Sequence, residues 1–74
     1  MKNKFQLMTN YPDLMKRHII EYNSKEQTDF EFIRTIPDEV LFVEIGTTAE
    51  NKVIFDFNVQ FGIKEAKIII EGKI

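Results

Sequence analysis

From Val53 to Phe61 the chain alternates: Val53, Phe55, Phe57, Val59 and Phe61 are apolar, with Ile54, Asp56, Asn58 and Gln60 between them. A period of two is the period of a β-strand, whose successive side chains point to opposite faces. The alternation predicts a half-buried antiparallel strand with an aromatic inner face. That face needs a cover, and the search for one sets the rest of the fold.

The cover is supplied by Tyr11, Leu14, Met15, His18, Ile19 and Tyr22, which recur at i, i+3, i+4, i+7, i+8 and i+11. This spacing makes one stripe of an amphipathic helix, predicted over 11–23. Asn10 can cap it, Pro12 and Asp13 suit its first turn, and Asn23-Ser24 ends it. Phe30–Ile36 alternates again. Pro37-Asp38-Glu39 makes a turn, because proline cannot extend a central ladder. Val40–Ile45 is apolar on both faces except at Glu44 and reads as a central, doubly covered strand. Gly46 opens a polar loop through Lys52, and Gly62 turns the chain into a last strand near Ile63–Ile70. Phe5–Met8 reads equally as an edge strand or as part of the helical region. The predicted fold is therefore α+β, with one N-terminal amphipathic helix packed on a four-stranded antiparallel meander. In it, Phe55, Phe57, Val59 and Phe61 are buried against Leu14, Met15, Ile19 and Tyr22.

Seventy-four residues make one domain, 1–74, near the size at which a single core leaves only about 3–5 kcal/mol of stability. Chains this small often add a disulfide, a metal or a second subunit. There is no cysteine, and His18 is the only histidine, so disulfides and thiolate sites are excluded and no zinc cage is expected. One helix cannot cover two apolar sheet faces, so the expectation is a homodimer. No apolar run is long enough to span a bilayer, and the first 25 residues hold no apolar core of a signal peptide. The expected location is the cytoplasm.

The charges are segregated. Residues 1–25, 26–50 and 51–74 sum to +3, −6 and +1. The middle third carries Glu26, Asp29, Glu31, Asp38, Glu39, Glu44 and Glu50 against Arg34 alone. In a meander, residues 26–29 and the 44–52 loop share one end of the sheet, so Glu26, Asp29, Glu31, Glu44 and Glu50 form a negative edge. Asp38 and Glu39 crown the opposite end. Such a field is either an ordinary solvated surface or a face complementary to a basic partner, including a groove that normally holds DNA.

The inventory for chemistry is thin. His18 lies on the apolar stripe, where a half-buried histidine at the edge of the core is the simpler reading than a general base. Ser24, the only serine, sits in a helix-ending turn. The pairs Asp38-Glu39 and Asp29/Glu31 are not set to face one cleft, as hydrolytic carboxylates must. No Gly-rich phosphate loop or calcium loop is present. The chain reads as a non-enzyme without cofactor or metal. Lys2, Lys4, Lys16 and Arg17 could meet phosphates, but the net charge is −2 and the aromatics alternate inward instead of forming a stacking platform. Direct nucleic-acid binding is not expected.

In length, in its missing cysteine and tryptophan, and in its richness in Lys, Ile, Asn, Phe and Glu, the chain resembles the small proteins that staphylococcal phages make to disable host enzymes. Inhibitors of the bacterial DNA sliding clamp are among them. The resemblance implies a host replication protein with a basic DNA-binding surface as partner, the clamp above all, and an acidic surface that competes with DNA. Clamp-binding peptides use Gln-Leu-x-Leu-Phe. Gln6-Leu7-Met8 begins that way, but Thr9 and Asn10 replace both apolar anchors. Two other classes stay open beside an inhibitor: an assembly subunit that self-associates through its apolar sheet face, and a small nucleic-acid-binding regulator.

Overall fold

The computed structural model describes residues 2–72. In chain order they form β1 (Asn3–Met8), α1 (Pro12–Glu26), β2 (Glu31–Ile36), β3 (Phe42–Thr47) and α2 (Asn51–Glu71). The three strands make one antiparallel sheet in the order β1-β3-β2. Both helices supply residues to the core that covers Val43 and Ile45.

This overturns the four-stranded meander. The alternating segment 53–61 and the expected last strand 63–70 are one helix, α2, and Gly62 lies inside it. The reason is an arithmetic coincidence. Every second member of the alternation, Val53, Phe57 and Phe61, is spaced i, i+4, i+8, which is also one face of a helix. The members left out, Phe55 and Val59, fall on the opposite face. Phe57 and Phe61 are fully buried, whereas Phe55 is 71% exposed and Val59 42%. Of the expected inner face, the phenylalanines at 57 and 61 enter the core and the residues at 55 and 59 do not.

The predicted helix is present and runs to Glu26, past Asn23. Pro12 and Asp13 occupy its first turn and Lys25 its last; the proline lacks an N–H that would have no partner there, and the two charges suit the helix dipole. The expected Asn10 cap does not form; Thr9 Oγ1 instead accepts the Tyr11 N–H at 3.0 Å. Met15, His18, Ile19 and Tyr22 are buried, and Leu14 is half-buried. Asn23 is spent on the exit: its amide donates to the Phe30 carbonyl and its carbonyl accepts from Phe30 N and Thr28 Oγ1, all within 2.9 Å. Gln27 takes the left-handed conformation, φ 57°, that reverses the chain. These bonds seat Phe30 in the core.

There Phe30 stacks on Phe57 with ring centroids 3.9 Å apart. Tyr22 and Phe5 meet both rings edge-on. The arrangement combines large apolar burial with the edge-to-face contacts aromatic rings prefer.

Phe5–Met8, left open by the sequence, belongs to the edge strand β1. The turn expected at 37–39 lies between β2 and β3. The strand expected at 40–45 is displaced to 42–47, so Gly46 is a strand residue and the loop to α2 shrinks to 48–50. β3 is central but not doubly covered: Val43, Ile45 and Thr47 are buried, while Phe42 and Glu44 lie on the open face. Cross-strand rows on that face run Met8–Phe42–Ile36 and Gln6–Glu44–Arg34. A register irregularity between Phe32 and Arg34 leaves Ile33 lying across Gly46, whose missing Cβ would sit 3.2 Å from the isoleucine methyl.

Candidate functional site

Folding undoes much of the charge segregation. Lys2 from the basic N-terminal third bonds Glu31 at 3.1 Å, Arg34 bonds Glu44 at 3.0 Å, and Lys52 lies 3.5 Å from Glu50. Asp29 has a structural task. Its carboxylate accepts the Thr47 hydroxyl at 2.8 Å, and the Thr48 N–H and hydroxyl at 2.9 and 2.7 Å. The bonds from Thr48, backed by Thr47, hold its pKa down at about 2. The structure does bring Glu26, Asp29, Glu31 and Glu50 to one end of the sheet, as α1 ends and α2 begins there. Lys2, Lys25 and Lys52 stand among them. Glu44 lies in the middle of the open face, away from this end.

Glu26, Asp38 and Glu39 form no ion pair with any described residue. Asp38 and Glu39 sit in the β2–β3 turn at the other end, where Asp38 Oδ1 accepts the Glu39 N–H. Directly after them, Val40 enters a groove of about 340 Å³ lined by Met8, Thr9, Asn10, Tyr11, Glu65 and Ile69. Its apolar members are open to solvent: Met8, Val40 and Ile69 are 59%, 44% and 66% exposed. Thr9 holds it together. Its backbone N–H donates to the Leu41 carbonyl at 3.0 Å, and its hydroxyl donates to Glu65. This one residue ties β1, α1, the β3 approach and α2. Glu65 is the acid among the groove's lining residues. The groove is built from three separate stretches, 8–11, Val40 and the α2 residues Glu65 and Ile69, so the sequence offers no signal that could have assembled it.

A second hollow, about 160 Å³, lies between the helices and is lined by His18, Glu21, Tyr22, Asp56 and Lys64 among others. Its polar groups are mutually committed. Glu21 accepts from Lys64 at 2.8 Å, which lowers the glutamate pKa. Tyr22 donates to Asp56 at 2.7 Å, and burial plus that carboxylate push the phenol up to about 12. His18 is 1% exposed, deeper than a core-edge histidine. Its Nε2 lies 3.0 Å from the Phe57 carbonyl, so the Nε2–H tautomer donates there. Nδ1 is buried without a partner. Desolvation lowers its pKa against the opposing pull of the Phe57 carbonyl, and nearby Lys64 lowers it further. The imidazole is thus a neutral packing piece, in ring contact with Phe57 at 4.5 Å.

This sets a pH dependence. The unfolded chain protonates His18 near its ordinary value of about 6.5, and the folded chain resists. The unfolded state then binds more protons, so stability rises with pH through this window and falls as pH drops below it. Urea midpoints are expected to decline from pH 7.5 to 5.5 in the native chain and to stay level in His18→Gln. A native midpoint constant over that range would contradict the assignment.

Among the described residues no helix is long and apolar enough to cross a membrane. No cluster of three or more His, Asp or Glu is placed to hold a metal among them. Gln6-Leu7-Met8 is fixed in β1, with Leu7 packed against the core. No protein-family model, curated protein or solved structure matches the chain.

Proposed function

We propose that the chain is a non-enzymatic binding protein that inhibits a host DNA-replication protein by occupying its basic, DNA-handling surface. The sliding clamp is the target that the resemblance to phage inhibitors indicates. The observation that carries this reading is the Met8–Val40–Ile69 groove, lined also by Glu65 and reached directly from the β2–β3 turn that holds Asp38 and Glu39. Apolar contacts in the groove hold the partner, and the acids meet its lysines and arginines. The contact therefore moves from the mixed-charge end, where Glu31 and Glu50 already have cations, to the turn end. Clamp-peptide mimicry is not the mode, because Leu7 serves the core. The basic-arm reading has less to stand on: Lys2 is engaged by Glu31, and the Lys16 ammonium lies 5.0 Å over the Phe32 ring.

The test is surface plasmon resonance with the purified chain against the purified host clamp and other host replication proteins. The double variant Asp38→Asn with Glu39→Lys is expected to slow association about ten-fold at low salt, with the gap closing as salt rises. Val40→Asp is expected to speed dissociation instead. Failure to bind any of these proteins, or clamp binding indifferent to both variants, would refute the reading.

A further inference from the structure

α2 is apolar on two sides. At about 100° per residue, Phe57 and Phe61 point into the core, while Phe55, Val59, Gly62, Ile63, Ala66 and Ile70 form a stripe on the far side. Every one of the six is exposed, with Phe55 at 71%, Val59 at 42%, Ile63 at 49% and Ile70 at 83%. No charged side chain interrupts the stripe between Phe55 and Ile70. Gly62 and Ala66, one turn apart at its centre, keep it low; a Cβ built on Gly62 would meet nothing within 4 Å.

We infer that this face pairs with the same face of a second copy, the two α2 helices running antiparallel about a two-fold axis near residues 61 and 62. Three observations point to a copy of this chain as the occupant. The first is area. At about 150–200 Å² for a fully exposed large side chain, the stripe presents roughly 500 Å², so two copies remove roughly 1,000 Å², the lower bound for a specific interface. The second is charge register. In an antiparallel pair each flank meets the same flank of its partner. One flank of the stripe carries Asp56 and Lys67, and an axis between 61 and 62 sets Asp56 level with Lys67 of the copy; Lys52, at the N-terminal end of the stripe itself, comes level with Glu71 of the copy. Asp56 already accepts the Tyr22 hydroxyl, and a carboxylate has acceptor sites to spare.

The third is the helix dipole. α2 has no acid in its first turn and no base in its last. Lys52 and Glu71 stand at the ends where their charges oppose the dipole. That placement works against the isolated helix, Lys52 being offset within its own chain only by the exposed Glu50 carboxylate 3.5 Å away at the N-cap. In the antiparallel dimer each charge finds its opposite at the end of the neighbouring helix. The dimer rests on α2 alone and does not require the groove at the turn end to have a target.

Sedimentation velocity on the full chain at micromolar concentrations is expected to show twice the chain mass. Val59→Lys places a charge in the seam, on an exposed position, and is expected to weaken association at least 100-fold with an unchanged circular dichroism spectrum. Lys52→Glu separates this interface from any other. It is expected to leave the monomer folded, the dipole gain offsetting the lost Glu50 contact, while weakening the dimer about three- to ten-fold. Adding Glu71→Lys to it is expected to restore the dimer. A native monomer throughout the range, or a dimer unmoved by both Val59→Lys and Lys52→Glu, would overturn the inference.

Discussion

Phe57→Ala is expected to cost about 3–5 kcal/mol, as much as the whole stability of a chain this size. Phe57 has no exposed surface and touches nearly every aromatic of the core. Truncation would leave Phe30 without its stacking partner, and Tyr22 and Phe5 without the ring they meet edge-on. The two structural readings of this segment part at a neighbouring position. On a strand, Phe55 shares the inner face with Phe57; on α2 it faces outward. Phe55→Ala is therefore expected to leave the unfolding midpoint of the dilute monomer within about 0.5 kcal/mol of native. Urea unfolding of both variants checks the pair. Comparable losses at 55 and 57 would favour the strand.

Asp29→Ala is expected to cost about 2 kcal/mol, as three hydrogen bonds to a charged acceptor go with it. Asp29 anchors the link from α1 to β2 onto Thr47 and Thr48 at the end of β3. Without the carboxylate the buried Thr47 hydroxyl loses its acceptor. The same bonds give an acid signature. Because the folded pKa is about 2 against an ordinary 3.8, the stabilisation is present above about pH 4 and drains away as pH falls towards 2. Denaturation midpoints measured from pH 6 to pH 2.5 should fall more steeply in the native chain than in Asp29→Ala. Equal acid slopes would mean that this carboxylate does not anchor the loop.

Several parts of the molecule could be read before it was folded. The 11–22 stripe is long enough that only a helix satisfies it, and α1 buries Met15, His18, Ile19 and Tyr22 as the spacing requires. Pro37 and the acids after it break the chain where β2 ends. The α+β class follows from those two facts together, and Phe57 and Phe61 are core residues under either reading of their segment. None of this needed a distant contact.

The state of residues 51–71 did need one. A nine-residue alternation describes a strand with one wet face, and it equally describes a helix with apolar residues on two opposite sides; local spacing cannot separate them. What decides is the rest of the core. Phe30, held by Asn23, stacks flat on Phe57, and His18 of α1 bonds the Phe57 carbonyl. The surface charges followed the same rule. The acids of the middle third are a simple run in sequence, yet which of them remain free depends on where Lys2, Arg34 and Lys52 come to lie. Periodicity belongs to the backbone and is written along the chain; pairing belongs to space, and only the packed structure assigns it.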